Sequence, residues 1–214
     1  MTETAPSRAD TAPRGVRMPR DERRAQLLAA ATDVFVTNGY HATVMDDIAE
    51  RAGVSKPVLY QHFPGKLELY LALLERHTDE LIRRVRQAIE ETEDNGQRVR
   101  NAVEVYFDFV DSDDEAFRLV LESDVRHQPP AQAVVERAYT ACVQAIAQAV
   151  AADAGLDADR AWLVAVGVVG ISADSARYWL TRRHEFPKEE AVALTASLAW
   201  KGLAGFPLHS PKAL

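Results

Sequence analysis

From Arg20 onward, apolar residues recur at three- and four-residue spacing almost without a break, and no stretch alternates polar and apolar residues long enough to form a strand. That periodicity predicts an all-α chain of about nine helices. A first helix is expected over 20–38, with Leu27, Leu28, Ala31, Val34 and Phe35 on one face and Asn38-Gly39 ending it. Two short helices follow at 43–51 and 55–63. After Pro64-Gly65 a long helix covers 66–92, with Leu67, Tyr70, Leu71, Leu74, His77, Leu81 and Val85 along one side, and Asp94-Asn95-Gly96 marks its end. Further helices are expected at 97–111, 114–124, 130–153, 157–183 and 188–203, separated by Pro129-Pro130, Gly155 and Pro187.

With 47% apolar residues the chain can bury a real core. No unbroken apolar run reaches the roughly 18–20 residues of a membrane helix. The longest, Ala161 to Ile171, is interrupted by Gly167 and Gly170 and reads as a buried helix. Residues 1–19 carry Arg8, Arg14 and Arg17 without an apolar core, so they read as a disordered arm rather than a secretory signal, and residues 207–214 as a flexible tail. Cys142 is the only cysteine. It rules out an intrachain disulfide, suits a cytoplasmic location and reads as a small core residue.

The net charge of −7 argues against nucleic-acid binding until it is divided along the chain. Residues 1–66 hold nine Lys/Arg against eight Asp/Glu, and the remainder 16 against 24. The acidity belongs to the C-terminal two-thirds, which leaves any DNA contact to a small N-terminal surface.

Within that surface lies the run Thr43 to Phe63. Thr43 is expected to cap a helix, with Asp46 completing a capping box. Ile48, Ala49 and Ala52 face inward. Gly53 stands where the chain must reverse within a few residues, which suits a residue that tolerates positive φ, and Val54 plugs the angle between the two helices. Ser55 is expected to cap the second helix, Pro57 falls in its first turn, and Leu59 and Phe63 form its inward face. Lys56, Val58, Tyr60, Gln61 and His62 are left outward: a cation, hydrogen-bonding groups and a small apolar group, suited to phosphates, base edges and a thymine methyl. This is the pattern of a helix-turn-helix, whose second helix enters the major groove. The arginines ahead of and within the first helix, Arg14, Arg17, Arg20, Arg23 and Arg24, are candidates for further phosphate or minor-groove contact, or for a solvated tail.

The order and spacing of Phe35, Gly39, Thr43, Ile48-Ala49, Ala52-Gly53-Val54, Leu59-Tyr60-Gln61-His62-Phe63 and Lys66-Leu67 resemble the N-terminal domain of TetR-family regulators. The resemblance implies that Thr43, Tyr60 and Lys66 anchor the phosphate backbone and that Lys56, Pro57, Val58, Gln61 and His62 lie against the groove. It further implies a DNA-binding domain over 20–66 and a helical effector-binding and dimerisation domain over 67–206.

No other chemistry competes with this reading. Asp111-Ser-Asp113-Asp-Glu115 has Ala116 where a calcium loop needs glycine, no His pair has zinc spacing, and no glycine-rich phosphate loop follows a strand. Neither catalysis nor a cofactor is expected. In the C-terminal part, the helix over 157–183 is apolar nearly all round from Ala161 to Ile171, so burial on several faces is expected. Gly167 and Gly170 point to close helix approach or to space for a ligand. With Val192, Leu194, Leu198 and Trp200 of the last helix, this helix reads as half of an intersubunit four-helix bundle. Phe107, Phe109, Val110, Phe117, Leu121, Val143, Ile146, Val166, Val169, Gly170 and Trp179 are candidates to line an apolar cavity.

The stretches Pro19 to Arg24, Ser55 to Tyr70 and Leu156 to Leu180 are similar to the actinobacterial TetR-type regulators of fatty-acid synthesis. That similarity implies a long-chain acyl-CoA effector in a tunnel through the helical domain, with Arg118, Arg126, Arg137 and Arg177 as candidates for its headgroup. It also implies a homodimer on a palindromic double-stranded operator, with no membrane partner. Two rivals stay open: a repressor of an efflux or catabolic operon that senses a hydrophobic compound, and a helical acyl-CoA-binding protein with no DNA role.

Overall fold

The structure is a computed structural model, and it describes residues 18–112 and 128–203. Among the described residues there are eight helices and no strand: α1 (Arg20–Ala42), α2 (Met45–Arg51), α3 (Lys56–His62), α4 (Lys66–Glu90), α5 (Asn95–Val110), α6 (Pro129–Ala154), α7 (Ala158–Thr181) and α8 (Lys188–Leu203). The expected helix over 114–124, with Phe117, Arg118 and Leu121, lies outside the described residues. So do Arg126, the arm before Met18 and the tail over 207–214.

Helices α1–α3 form a head on the first turns of α4. Its core is Leu27, Ala31, Phe35, Ile48, Leu59 and Phe63, each no more than 2% exposed. Phe35, Tyr40 and Tyr70 join it to α4, with ring centroids 5.1 to 5.9 Å apart. In the body α4 packs chiefly on α6, α6 on α7, and α5 against α4, α7 and α8. Charges at the rim fasten α8 to α5: Lys188 Nζ donates to Asp108 at 3.0 Å and reaches Asp111 at 3.1 Å. Burial pushes the Cys142 pKa up, so beside Tyr106 it remains a protonated core thiol.

At Gly39 the backbone leaves helical geometry as expected, at φ 75° and ψ 164°, and a short further turn carries α1 to Ala42. Two other local expectations shift. Asn95 and Gly96 open α5 rather than closing α4, because Asp94 caps α5 by accepting from the Gln97 N–H at 2.7 Å. Helix α7 is long and apolar enough to cross a membrane by length and composition, which the interrupted run did not suggest. Here Ala161, Ala165, Val168, Val169, Ser172, Ala176 and Trp179 pack into the body while a second face stays open.

Candidate nucleic-acid interface and effector chamber

The reading unit is assembled by its turn. Gly53 takes φ 64°, the left-handed conformation that lets α2 reverse into α3. Leu59 and Phe63 are buried at 0% and 2%, which rotates Tyr60, Gln61, Lys56 and Pro57 to the surface and leaves Val58 and His62 half-buried. Tyr60 is 47% exposed. Ser55 caps α3 through its backbone carbonyl, which accepts from Val58 and Leu59. Its hydroxyl makes no capping bond, unlike the expectation.

The capping of α2 is displaced by one residue. Its N-cap is Val44, whose N–H donates to Asp47 Oδ2 at 3.4 Å, and a valine side chain has no oxygen to return the bond. Thr43 is diverted elsewhere: it is 0% exposed, and its hydroxyl donates to the Gly39 carbonyl at 2.7 Å. This corrects its reading as a cap, and in this conformation its side chain offers nothing to a phosphate. Asp46 is free to pair with Lys56 across the turn at 2.5 Å, and that hydrogen bond raises the lysine pKa. Lys56 therefore carries its charge on the outer face with an acidic neighbour that a phosphate can replace.

Lys66 is likewise turned inward. Its ammonium donates to the carbonyls of Tyr40 and Thr43, each at 2.8 Å, and of His41 at 3.4 Å, and it lies 4.5 Å from the Tyr40 ring centroid. Because α1 stops at Ala42, those carbonyls have no helical partners, and a cation at a helix C-terminus satisfies them. The first residue of α4 is thus a clamp on the end of α1, rather than a lysine held out to the DNA backbone.

The cationic face lies instead where α1 meets the end of α3. Partial burial, then the charges of Arg20, Arg24 and Arg23, hold the His62 pKa below the ordinary imidazole range, which places all four groups together. Arg24 sits 4.4 Å over the Phe63 ring and donates to the His62 carbonyl at 3.5 Å. Gln26 donates to the Ala52 carbonyl at 2.9 Å, and Arg51 pairs with Asp33 at 2.5 Å, so the turn is braced against α1 from both sides. The recurrence of arginine at positions 20, 23 and 24 was the signal for this patch.

In the body, the expected cavity lining is not brought together. Val143 and Phe107 are fully buried core at 0%, and Val169 at 2% is core as well. Phe107 and Trp179 pack ring against ring at 5.8 Å, beside a shallow open groove that also includes Leu194. Val166 and Gly170 lie half-exposed on α7. An apolar chamber of about 90 Å³ is lined by Ile89, Val99, Ala102, Ile146, Ala149, Val150, Ala154, Val164, Val168 and Trp200, with Asn95, Arg98 and Asp153 at its rim. Of the expected lining among the described residues, only Ile146 belongs to it. Of the headgroup candidates, the two among the described residues are paired elsewhere: Arg137 faces Asp79 at 3.4 Å and Arg177 pairs with Asp174 at 2.7 Å. Arg98, the cation beside the chamber, was missed. Its signal was an arginine on the same α5 face as Val99 and Ala102. Among the described residues no cluster of side chains could hold a metal ion.

On α7 a Cβ added to Gly167 or Gly170 would meet nothing within 4 Å, so neither glycine serves close packing within the chain. Both lie beside an exposed apolar face formed by Leu163, Tyr178, Leu194 and Leu198, each at least 60% exposed. Val192 is core and Trp200 borders the chamber, so neither belongs to that face as expected.

Residues 27–73 match the family model described as bacterial regulatory proteins, tetR family, and residues 95–202 match that of the tetracyclin repressor-like C-terminal domain. The chain is 52% identical over 213 residues, 97% of each chain, to the HTH-type transcriptional activator FasR of Mycolicibacterium smegmatis. Among solved structures it resembles a TetR-like transcriptional regulator from Rhodococcus, at TM-score 0.67 and 29% identity over 88% of this chain and 100% of the other. It also shares its fold with FadR of Bacillus subtilis in complex with stearoyl-CoA, at TM-score 0.67 and 19% identity over 85% and 98% of the two chains.

Proposed function

The chain belongs to the TetR family of bacterial regulatory proteins, transcription regulators rather than enzymes, and from that premise we propose that it controls fatty-acid synthesis genes under a long-chain acyl-CoA effector. The observation that carries this reading is the 52% identity to FasR across nearly the whole length of both chains. FasR is described as an activator, which supports activation as the sign of control. The stearoyl-CoA bound to FadR, which shares the fold, supports an acyl thioester as effector. A cytoplasmic location suits that role.

The active form is a homodimer. Leu163, Tyr178, Leu194 and Leu198 offer an apolar face too broad to be left to water, and Gly167 and Gly170 beside it let a partner helix approach closely. The dimer sets two α3 helices about one DNA turn apart (~34–36 Å) on a palindromic operator. The effector favours a body conformation with the wrong spacing, and release follows the difference in its affinity for the two states.

Titration of the promoter of a fatty-acid synthase operon, with and without stearoyl-CoA, tests the reading. Binding that the thioester weakens is expected; no binding to any genomic fragment at low salt would overturn it. Tyr60→Ala weakens binding to every sequence alike, by the ~0.5–1.5 kcal/mol of a lost phosphate hydrogen bond, and a loss confined to one base pair contradicts that role.

A further inference from the structure

The chamber lies at the end of α4 farthest from the head. Ile89, the next-to-last residue of α4, is about 35 Å along the helix from Lys66. Its wall repeats at helical spacing: Asn95, Arg98, Val99 and Ala102 on α5, and Ile146, Ala149, Val150, Asp153 and Ala154 on α6. The space exists because Ala102 and Ala149 stand where larger residues would close it. At about 90 Å³ it is well below the ~300 Å³ at which whole-ligand pockets begin, so it takes part of a molecule.

The rim decides which part. Arg98 donates to Asp153 at 2.8 Å, to the Thr92 carbonyl at 2.7 Å and to Asn95 Oδ1 at 3.0 Å. Three of the five guanidinium N–H donors are thus committed within the protein and the charge is already paired with Asp153, so a charged group entering here would compete with that pair. The interior is aliphatic, and an apolar space of this kind stays dry. We propose that this chamber receives the methyl end of an aliphatic chain, and that Ala102 and Ala149 set the length it admits. The inference rests on the acyl-effector reading and gives that effector an orientation: tail toward the remote end of the body, headgroup elsewhere.

The test has two arms. In the first, operator release is titrated with even-numbered saturated acyl-CoA esters from octanoyl to eicosanoyl. Ala149→Phe, which fills the chamber, moves the most potent ester at least one step shorter, and Val168→Ala, which enlarges it, moves it longer. An identical length profile in all three proteins overturns the inference. In the second arm, fluorine NMR of fluorotryptophan-labelled protein follows Trp200, assigned through Trp200→Phe, as decanol is added. A shift of that resonance, lost in Ala149→Phe, supports the chamber as an aliphatic site. A Trp200 resonance that decanol leaves unmoved in the wild type overturns it. If decanol binds and no ester of any length releases DNA, the acyl-effector reading fails while the aliphatic site stands.

Discussion

Leu59 and Phe63 in the head and Ala102 and Ala149 in the body all act through volume, in opposite senses. The two large residues fill the angle between α3 and its neighbours, and by filling it they turn Tyr60, Gln61 and Lys56 outward. The two alanines leave space, and the space is the feature. A surface built by filling is sensitive to any loss of volume, whereas a chamber built by omission is sensitive to any gain. The two halves should therefore fail under opposite substitutions.

The sharpest trial pairs two phenylalanines. Phe63 is 2% exposed in the head and Phe107 0% exposed in the body. Replacement of either by alanine should cost about 3–5 kcal/mol, seen as a lowered denaturation midpoint. Phe63→Ala should also abolish operator binding at temperatures where helical circular dichroism persists, while Phe107→Ala should leave binding intact below its own midpoint. Equal effects on binding would break the distinction between head and body.

Lys66→Met removes the clamp and should cost about 2 kcal/mol, the scale of hydrogen bonds made by a charged group. The dependence of operator affinity on salt separates the two roles open to this residue. A clamp leaves the slope unchanged, whereas a phosphate anchor lowers it by about one. A lowered slope would return Lys66 to the DNA surface.

Gly53→Ala should cost about 1–2 kcal/mol, because its φ of 64° strains any residue with a Cβ while nothing lies within 4 Å to clash. A cost near zero on thermal denaturation would mean that the turn relaxes. The smallest effect concerns His62. Its folded pKa lies below the ordinary 6.5, so the folded state binds fewer protons than the unfolded chain there. The stability it contributes is present above 6.5 and is lost as pH falls through that value toward the folded pKa. A small drop in the midpoint on mild acidification, absent in His62→Gln, is expected.

The helix order and the reading unit were legible because their determinants are local. Gly53, Leu59 and Phe63 lie within eleven residues of one another, and their spacing alone fixes which side chains face out. The positions of the Thr43 and Lys66 side chains depend on contacts the pattern does not encode. Both meet carbonyls at the C-terminal end of α1, one through a hydroxyl nearby and the other through an ammonium more than twenty residues away. The chamber was not legible at all. Large apolar residues drew attention to Phe107, Val143 and Trp179, but Phe107 and Trp179 pack ring against ring and Val143 is buried in the core, so none of them lines the chamber. The residues that make space are alanines, which no hydropathy pattern distinguishes from any other helix filler. Its rim depends on Arg98 meeting Asp153 across 55 residues of chain.

The long helix α4 has a mechanical consequence. Its 25 residues, about 37 Å, contain neither proline nor glycine, the usual sites of sharp kinks. Midway along it the Thr78 hydroxyl donates back to the Leu74 carbonyl at 2.7 Å. Such a beam has little compliance of its own. Strain applied at Ile89 is delivered to the joint at Lys66 rather than absorbed on the way, so the softness that a switch needs must reside in that joint.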